Sequence, residues 1–258
     1  MADLQLRRLE RSNQGDPQSL ARKIHMRVRT GQISSERVTW AAHLGDSTAR
    51  MIDADPRIIT DCPSCQALRD ARTRRNRDPR SRPTPIRETP RQCLHCKGSE
   101  KVVLEKGLIR FVQQIPVPHR LLIAWGADCA EHQLETLVPN PEPVSRGMRY
   151  RLPNAPTPQE HELPAVILPA VRRWVHEGVV DPVLYQRASH TGSVRTDVGV
   201  AASLATAVVR SGVEDEERMV RFRIGEVASM AYHAAGGTRS ERTWQEERLI
   251  GYLLGNCG

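Results

Sequence analysis

CPSCQALRDARTRRNRDPRSRPTPIRETPRQCLHC, residues 62–96, decides how the rest of the chain is read. Two C-x-x-C pairs, Cys62/Cys65 and Cys93/Cys96, bracket 27 residues that hold nine arginines and no lysine. Two tight turns that each present two thiolates can satisfy a tetrahedral Zn2+, with main-chain N–H groups aimed at the sulfurs. The gap between the pairs is long for a zinc ribbon, but loop-closure cost grows only logarithmically, so an insertion between knuckles is tolerated. Gly98, two residues past Cys96, supplies the flexible turn such knuckles use. The expectation is a structural Zn2+ held by Cys62, Cys65, Cys93 and Cys96. A thioredoxin-like redox pair lacks its βαβ context here. A degenerate site that holds no metal is the remaining alternative.

Composition frames this segment. With 258 residues the chain can bury one large core or two modest ones. Aromatic residues make up only 4%, which favours helices over a large β-sandwich. The start, MADLQLRRLERS, has no apolar stretch behind its charges, and the longest nearly apolar run, VGVAASLATAVV (198–209), is too short and mixed for a bilayer span. A cytoplasmic protein that does not enter membranes is expected, and there paired cysteines mean metal or redox chemistry rather than disulfides.

Net charge is +8, unevenly spread: +3 over residues 1–60, +7 over 61–110 and −2 over 111–258. Such asymmetry points to a local binding surface. A GC-rich coding bias would explain 34 Arg against 4 Lys, but not the clustering. Arg69, Arg72, Arg74, Arg75, Arg77, Arg80, Arg82, Arg87 and Arg91 are therefore the candidate partner-binding residues. They would dock an acidic protein surface through steering and bidentate contacts. Alternatively they would bind nucleic acid, although no aromatic residue of the insert can stack a base. A solvated linker of disorder-like composition is the third reading.

Around this segment the periodicity is helical. Asp16-Pro17 opens a helix carrying Leu20, Ile24 and Val28 that stops at Gly31. Ser34 caps the next, through Trp40 to Gly45, and Asp46 caps a short one. KVVLEKGLIRFV (101–112) predicts a small hairpin turning at Lys106-Gly107. A strong helix follows Pro118 to about Leu137, then a Pro-rich loop (138–163) of the kind that forms an insertion or lid. Further helices are expected over Pro169–Glu177, from Asp181-Pro182, over Asp197–Arg210, and from the acidic run at 214–217 to Gly236-Gly237. Thr238-Arg239-Ser240-Glu241 reads as a capping box for the last helix.

Other chemistry is sparse. Cys129 and His132 share a helical face, but buried packing explains them better than ligation. Cys257 and the scattered His119, His161, His176, His190 and His233 form no ligand pattern. No phosphate loop, dinucleotide fingerprint or nucleophile elbow occurs, so a non-enzymatic role is expected.

Three stretches, WGADCAEHQLETL (125–137), VRRWVHEGVVDP (171–182) and WQEERLIGYLL (244–254), resemble an all-helical family of immunity proteins from bacterial polymorphic-toxin systems. The family pattern is a Trp…Cys-Ala-Glu helix followed by a Trp-containing helix and Ala-rich helices. Here the Pro-rich loop is long and the Ala-rich run is diluted. The knuckle CLHCKGSEKV resembles one arm of a DnaJ-type zinc ribbon, but the first knuckle, CPSCQALR, lacks the glycines, two of the four expected knuckles are absent and there is no J-domain motif. The first fifty residues resemble a short N-terminal module of uncharacterised bacterial proteins. The resemblances imply a multi-helical protein-binding scaffold, with a toxin as one kind of partner. The whole reads as a mainly α chain in three parts: a short-helix module (1–60), a zinc ribbon with a short β-hairpin and the Arg/Pro-rich insert (61–117), and a helical domain (118–258).

Overall fold

The structure is a computed structural model and describes residues 16–69, 93–105, 107–136, 163–187, 196–211, 213 and 216–256. Of the nine candidate arginines only Arg69 falls among them; the other eight, and the Pro-rich loop up to residue 162, lie outside the described residues. Among the described residues the architecture is mainly helical with one small two-stranded antiparallel sheet. Among the described residues no helix is long and apolar enough to cross a membrane.

The first three helices among the described residues are α1 (Pro17–Arg29), α2 (Ser35–Leu44) and α3 (Ser47–Ile52). Each starts where a side chain satisfies orphan N–H groups. Asp16 accepts from the N–H groups of Gln18 and Ser19, Ser34 from Arg37, and Asp46 from Ala49 at 2.6 Å. Ile24 of α1 and Val38, Trp40, Ala41 and Ala42 of α2 are buried, whereas Leu20 stays 39% exposed.

The sheet pairs β1 (Ile59–Asp61) with β2 (Lys101–Val103), in the register Ile59↔Val103, Thr60↔Val102 and Asp61↔Lys101. This corrects the expected hairpin at Lys106-Gly107. The strand 101–103 pairs backward across the whole cysteine segment, and Gly107 instead precedes helix α4 (Leu108–Gln114). The reason is spacing: Leu108, Phe111 and Val112 recur at helical intervals and bury at 2%, 0% and 0% exposure.

The C-terminal helices are α5 (His119–Thr136), α6 (Leu163–Glu177), α7 (Pro182–Arg187), α8 (Thr196–Arg210), α9 (Glu217–Ala234) and α10 (Arg239–Leu253). Helix α6 begins before the expected Pro169, which sits inside it on an exposed position. The ring costs that helix one hydrogen bond, but Ile167, Leu168, Ala170 and Val171 on both sides of it are buried, and that packing carries the helix through. The nearly apolar α8 packs on α6, α7, α5 and α9. Gly126 sets the closeness of this packing: a Cβ there would stand 3.1 Å from Ile224 and 3.2 Å from Leu204.

One buried apolar cluster extends from Ile24 in α1 to Leu254 beyond α10. Cations add donors to the carbonyls at several helix ends. Arg27 donates to the carbonyls of Leu254 and Gly255, Arg37 to that of Tyr252 at 2.5 Å, and Arg120 to those of Val175 and His176. Thr238 caps α10 by accepting from the N–H of Glu241, while the Glu241 carboxylate turns inward to His132 and Gln245.

Candidate metal centre

The β1–β2 ladder brings the two cysteine pairs together. Cys62 follows β1 directly, and its N–H donates to the carbonyl of Glu100 at 2.8 Å, just before β2. Residues 63–69 then form a short helical turn, with the N–H of Gln66 donating to the Cys62 carbonyl. The second pair is tightened by Lys97 N–H donating to Cys93 O at 2.8 Å and Ser99 N–H to Cys96 O at 3.0 Å. Lys97 and Gly98 take left-handed conformations, φ 51° and 86°, which folds the chain back over the Cys96 sulfur. Glycine was the legible part of this turn; a lysine at positive φ was not.

All four sulfurs lie within 4.8 Å of one another. Cys62 Sγ stands 3.7 Å from Cys93 Sγ, and Cys65 Sγ 3.5 Å from Cys96 Sγ. These separations exceed a disulfide bond, about 2.05 Å, and no disulfide joins the four cysteines. They match the edge of a tetrahedron around zinc, about 3.8 Å for Zn–S bonds of about 2.3 Å. The residues therefore fit a four-thiolate metal site. Cys62 and Cys65 are fully buried, Cys93 and Cys96 are 2% and 7% exposed, and Val102 packs against the cluster.

The electrostatics are split. Burial, and then hydrogen bonds from the other sulfurs, push the Cys65 thiol up. Burial also opposes the Cys96 thiolate, but hydrogen bonds from Cys65 and from the main chain at Gly98 and Glu100 outweigh it and bring that thiol down to about 7. Lowering the Cys96 thiol eases the loss of a proton that metal binding requires. Two ion pairs brace the outside: Arg69–Glu100 at 3.3 Å links the two knuckles, and Lys101–Asp61 at 2.7 Å crosses the strands. Arg69 thus lies beside the site, paired with Glu100.

Cys129 and His132 do not join a metal cluster; among the described residues the four cysteines are the group at ligand distance. Cys129 is fully buried in α5, and burial raises its thiol well above the ordinary range. His132 stacks on Trp244, ring centroids 3.9 Å apart, with Nε2 3.1 Å from the Glu241 carboxylate. A second polar centre was missed by sequence reasoning. Buried Asp128 accepts from Arg172, Arg248 and the Tyr252 hydroxyl, and Arg172 also holds Glu131. Asp128, set between Ala127 and Cys129 in the most apolar stretch of α5, was the available signal.

Compared with known proteins, the chain matches no family model, no curated protein and no solved structure.

Proposed function

We propose that Cys62, Cys65, Cys93 and Cys96 hold one structural Zn2+, and that the protein is a non-enzymatic binding scaffold whose partner is another protein. The observation that carries the reading is the closed four-sulfur set with edges of 3.5 and 3.7 Å. Four protein ligands fill a tetrahedral zinc and leave no position for water or substrate, so the metal braces the fold instead of acting as a Lewis acid. The other polar cluster, around Asp128, has its donors and acceptors engaged with one another inside the helices. The likeness to immunity proteins supports a protein partner, with a bacterial toxin as the kind it implies. When bound, zinc would be held by the four thiolates, while Glu100 and Gly98 steady the Cys96 sulfur through the main chain.

Two measurements test this. Metal analysis of protein purified under reducing conditions should find zinc at one equivalent per chain. Titration with fluorescent RNA and DNA at low and high salt should show no submicromolar binding. Tight binding that collapses steeply as salt rises would replace the protein-partner reading with nucleic-acid recognition through the arginine insert.

A further inference from the structure

Four clustered cysteines can be oxidised to two disulfides in ways that have opposite consequences for the ribbon. Bonds within each C-x-x-C pair would leave the knuckles unlinked, whereas bonds between the pairs would tie them together. The two sulfur–sulfur contacts of hydrogen-bond length both run from one knuckle to the other, Cys62 to Cys93 at 3.7 Å and Cys65 to Cys96 at 3.5 Å. A disulfide is about 2.05 Å long, so each sulfur of these pairs would move by less than about 1 Å to close one. The main chain keeps the pairs facing each other: Cys62 N–H donates to Glu100 O beside β2, and Lys97 N–H donates back to Cys93 O.

The sulfurs lie close to solvent. Pro63 and Ser64 in the first knuckle and Leu94 and His95 in the second are exposed, so a single layer of chain covers the cluster. Cys129 is the contrast, fully buried within the large apolar core. A small polar oxidant therefore has a short path to the four sulfurs and none to Cys129. The second knuckle also depends on its closure. Lys97 and Glu100 both take positive φ, 51° and 58°, a conformation that residues other than glycine keep only where their surroundings impose it. Strand β2 begins at the next residue, and its Val102 packs on the cluster. The link that ties the sulfurs thus also holds the strand.

We propose that the four cysteines form a redox-exchangeable staple: hydrogen peroxide converts the zinc-held ribbon into one held by the disulfides Cys62–Cys93 and Cys65–Cys96, with release of the metal. One thiolate of a pair attacks the peroxide and breaks its O–O bond, giving a sulfenic acid and hydroxide. The facing thiolate then attacks that sulfur, forms the S–S bond and displaces a second hydroxide. Each disulfide takes two electrons from two thiolates and reduces one peroxide. Two peroxides and four protons thus convert the zinc-bound thiolates to two disulfides, free Zn2+ and four waters. The ribbon stays closed in both states, and so does the base of the 27-residue insert between the pairs. The inference rests on the zinc reading above and adds what the site does under oxidation.

The test treats the full-length, zinc-loaded chain with a modest excess of hydrogen peroxide under native conditions. Metal release is followed with a chromogenic chelator, and the products are mapped by mass spectrometry after trypsin. Trypsin places Cys62 and Cys65 in one peptide, 58–69, and Cys93 and Cys96 in another, 92–97. The two peptides should appear as one disulfide-linked species in step with zinc release, and fragmentation should join Cys62 to Cys93 and Cys65 to Cys96. Cys129 should remain a thiol, and a dithiol reductant with added zinc should restore the starting form. Amide exchange at Val102 and Leu104 should be roughly tenfold slower in the oxidised, metal-free chain than in the reduced, metal-free chain. Disulfides inside either peptide, sulfinic or sulfonic acids in place of disulfides, or exchange as fast as in the reduced, metal-free chain would overturn the staple while the zinc reading stands. So would zinc that stays bound to unmodified cysteines under peroxide. Zinc content before oxidation separates the two readings: a chain that carries none loses both.

Discussion

Asp128 is buried among two guanidinium groups and a phenol, and the last helices depend on its charge. Replacing it by Asn keeps the shape but leaves Arg172 and Arg248 without their shared anion. Losing one partner of a buried ion pair costs about 3–5 kcal/mol, and the part-exposed arginines place this site near about 3 kcal/mol. Urea unfolding of Asp128→Asn should show that loss; a change under about 0.5 kcal/mol would mean that the network carries no stability. Tyr252 gives a pH signature. Burial and then the hydrogen bond to Asp128 raise its phenol to about 12, against about 10 in an unfolded chain. The fold thus favours the neutral phenol, and its contribution is intact below about 10 and lost as pH rises toward 12. Thermal melts should fall over that window in the wild type and flatten in Tyr252→Phe. The four cysteines were legible because C-x-x-C spacing is itself the chemistry. The Asp128 network was not, because its partners lie 44, 120 and 124 positions away and only packing brings them together.

Elements differ in what holds them. The cysteine cluster and Val102 stand apart from the large apolar core, so the knuckles rely on their own ligands. Removing metal with a strong chelator should speed hydrogen exchange at Cys62, Val102 and Leu104 while far-UV circular dichroism stays nearly constant. A global loss of helix would show that the site supports the entire fold. Acidification should release the metal as the thiolates protonate. In the helices, Gly126 permits the contact of α5 with α8 and α9, and Gly126→Val should cost about 1–3 kcal/mol by overpacking. Helix starts were readable because Asp16, Ser34, Asp46 and Thr238 are local signals that the backbone uses directly. The strand partner was not. A turn signal at Lys106-Gly107 competes with pairing across the cysteine segment, and only the knuckle closure decides the contest in favour of Ile59–Asp61.

At the scale of the molecule, the cluster from Ile24 to Leu254 ties the first helices to the last, with Arg27 and Arg37 fastened to the end of α10. Composition foretold the helical class, since few aromatics and many helical periods leave little else. It could not foretell that the N-terminal helices pack against α10, because that contact has no local signature. Arg37→Ala should lower stability by about 1–2 kcal/mol by uncapping α10, read from the denaturation midpoint. The proposal of a metal-braced ribbon beside the helical body rests on the four clustered cysteines. Native mass spectrometry of the reduced full-length chain tests that directly, alongside Cys65→Ser. One zinc ion per wild-type chain, absent or weakly held in the variant, is the expected result. A wild-type chain without metal, or a variant that keeps zinc as firmly, would contradict it.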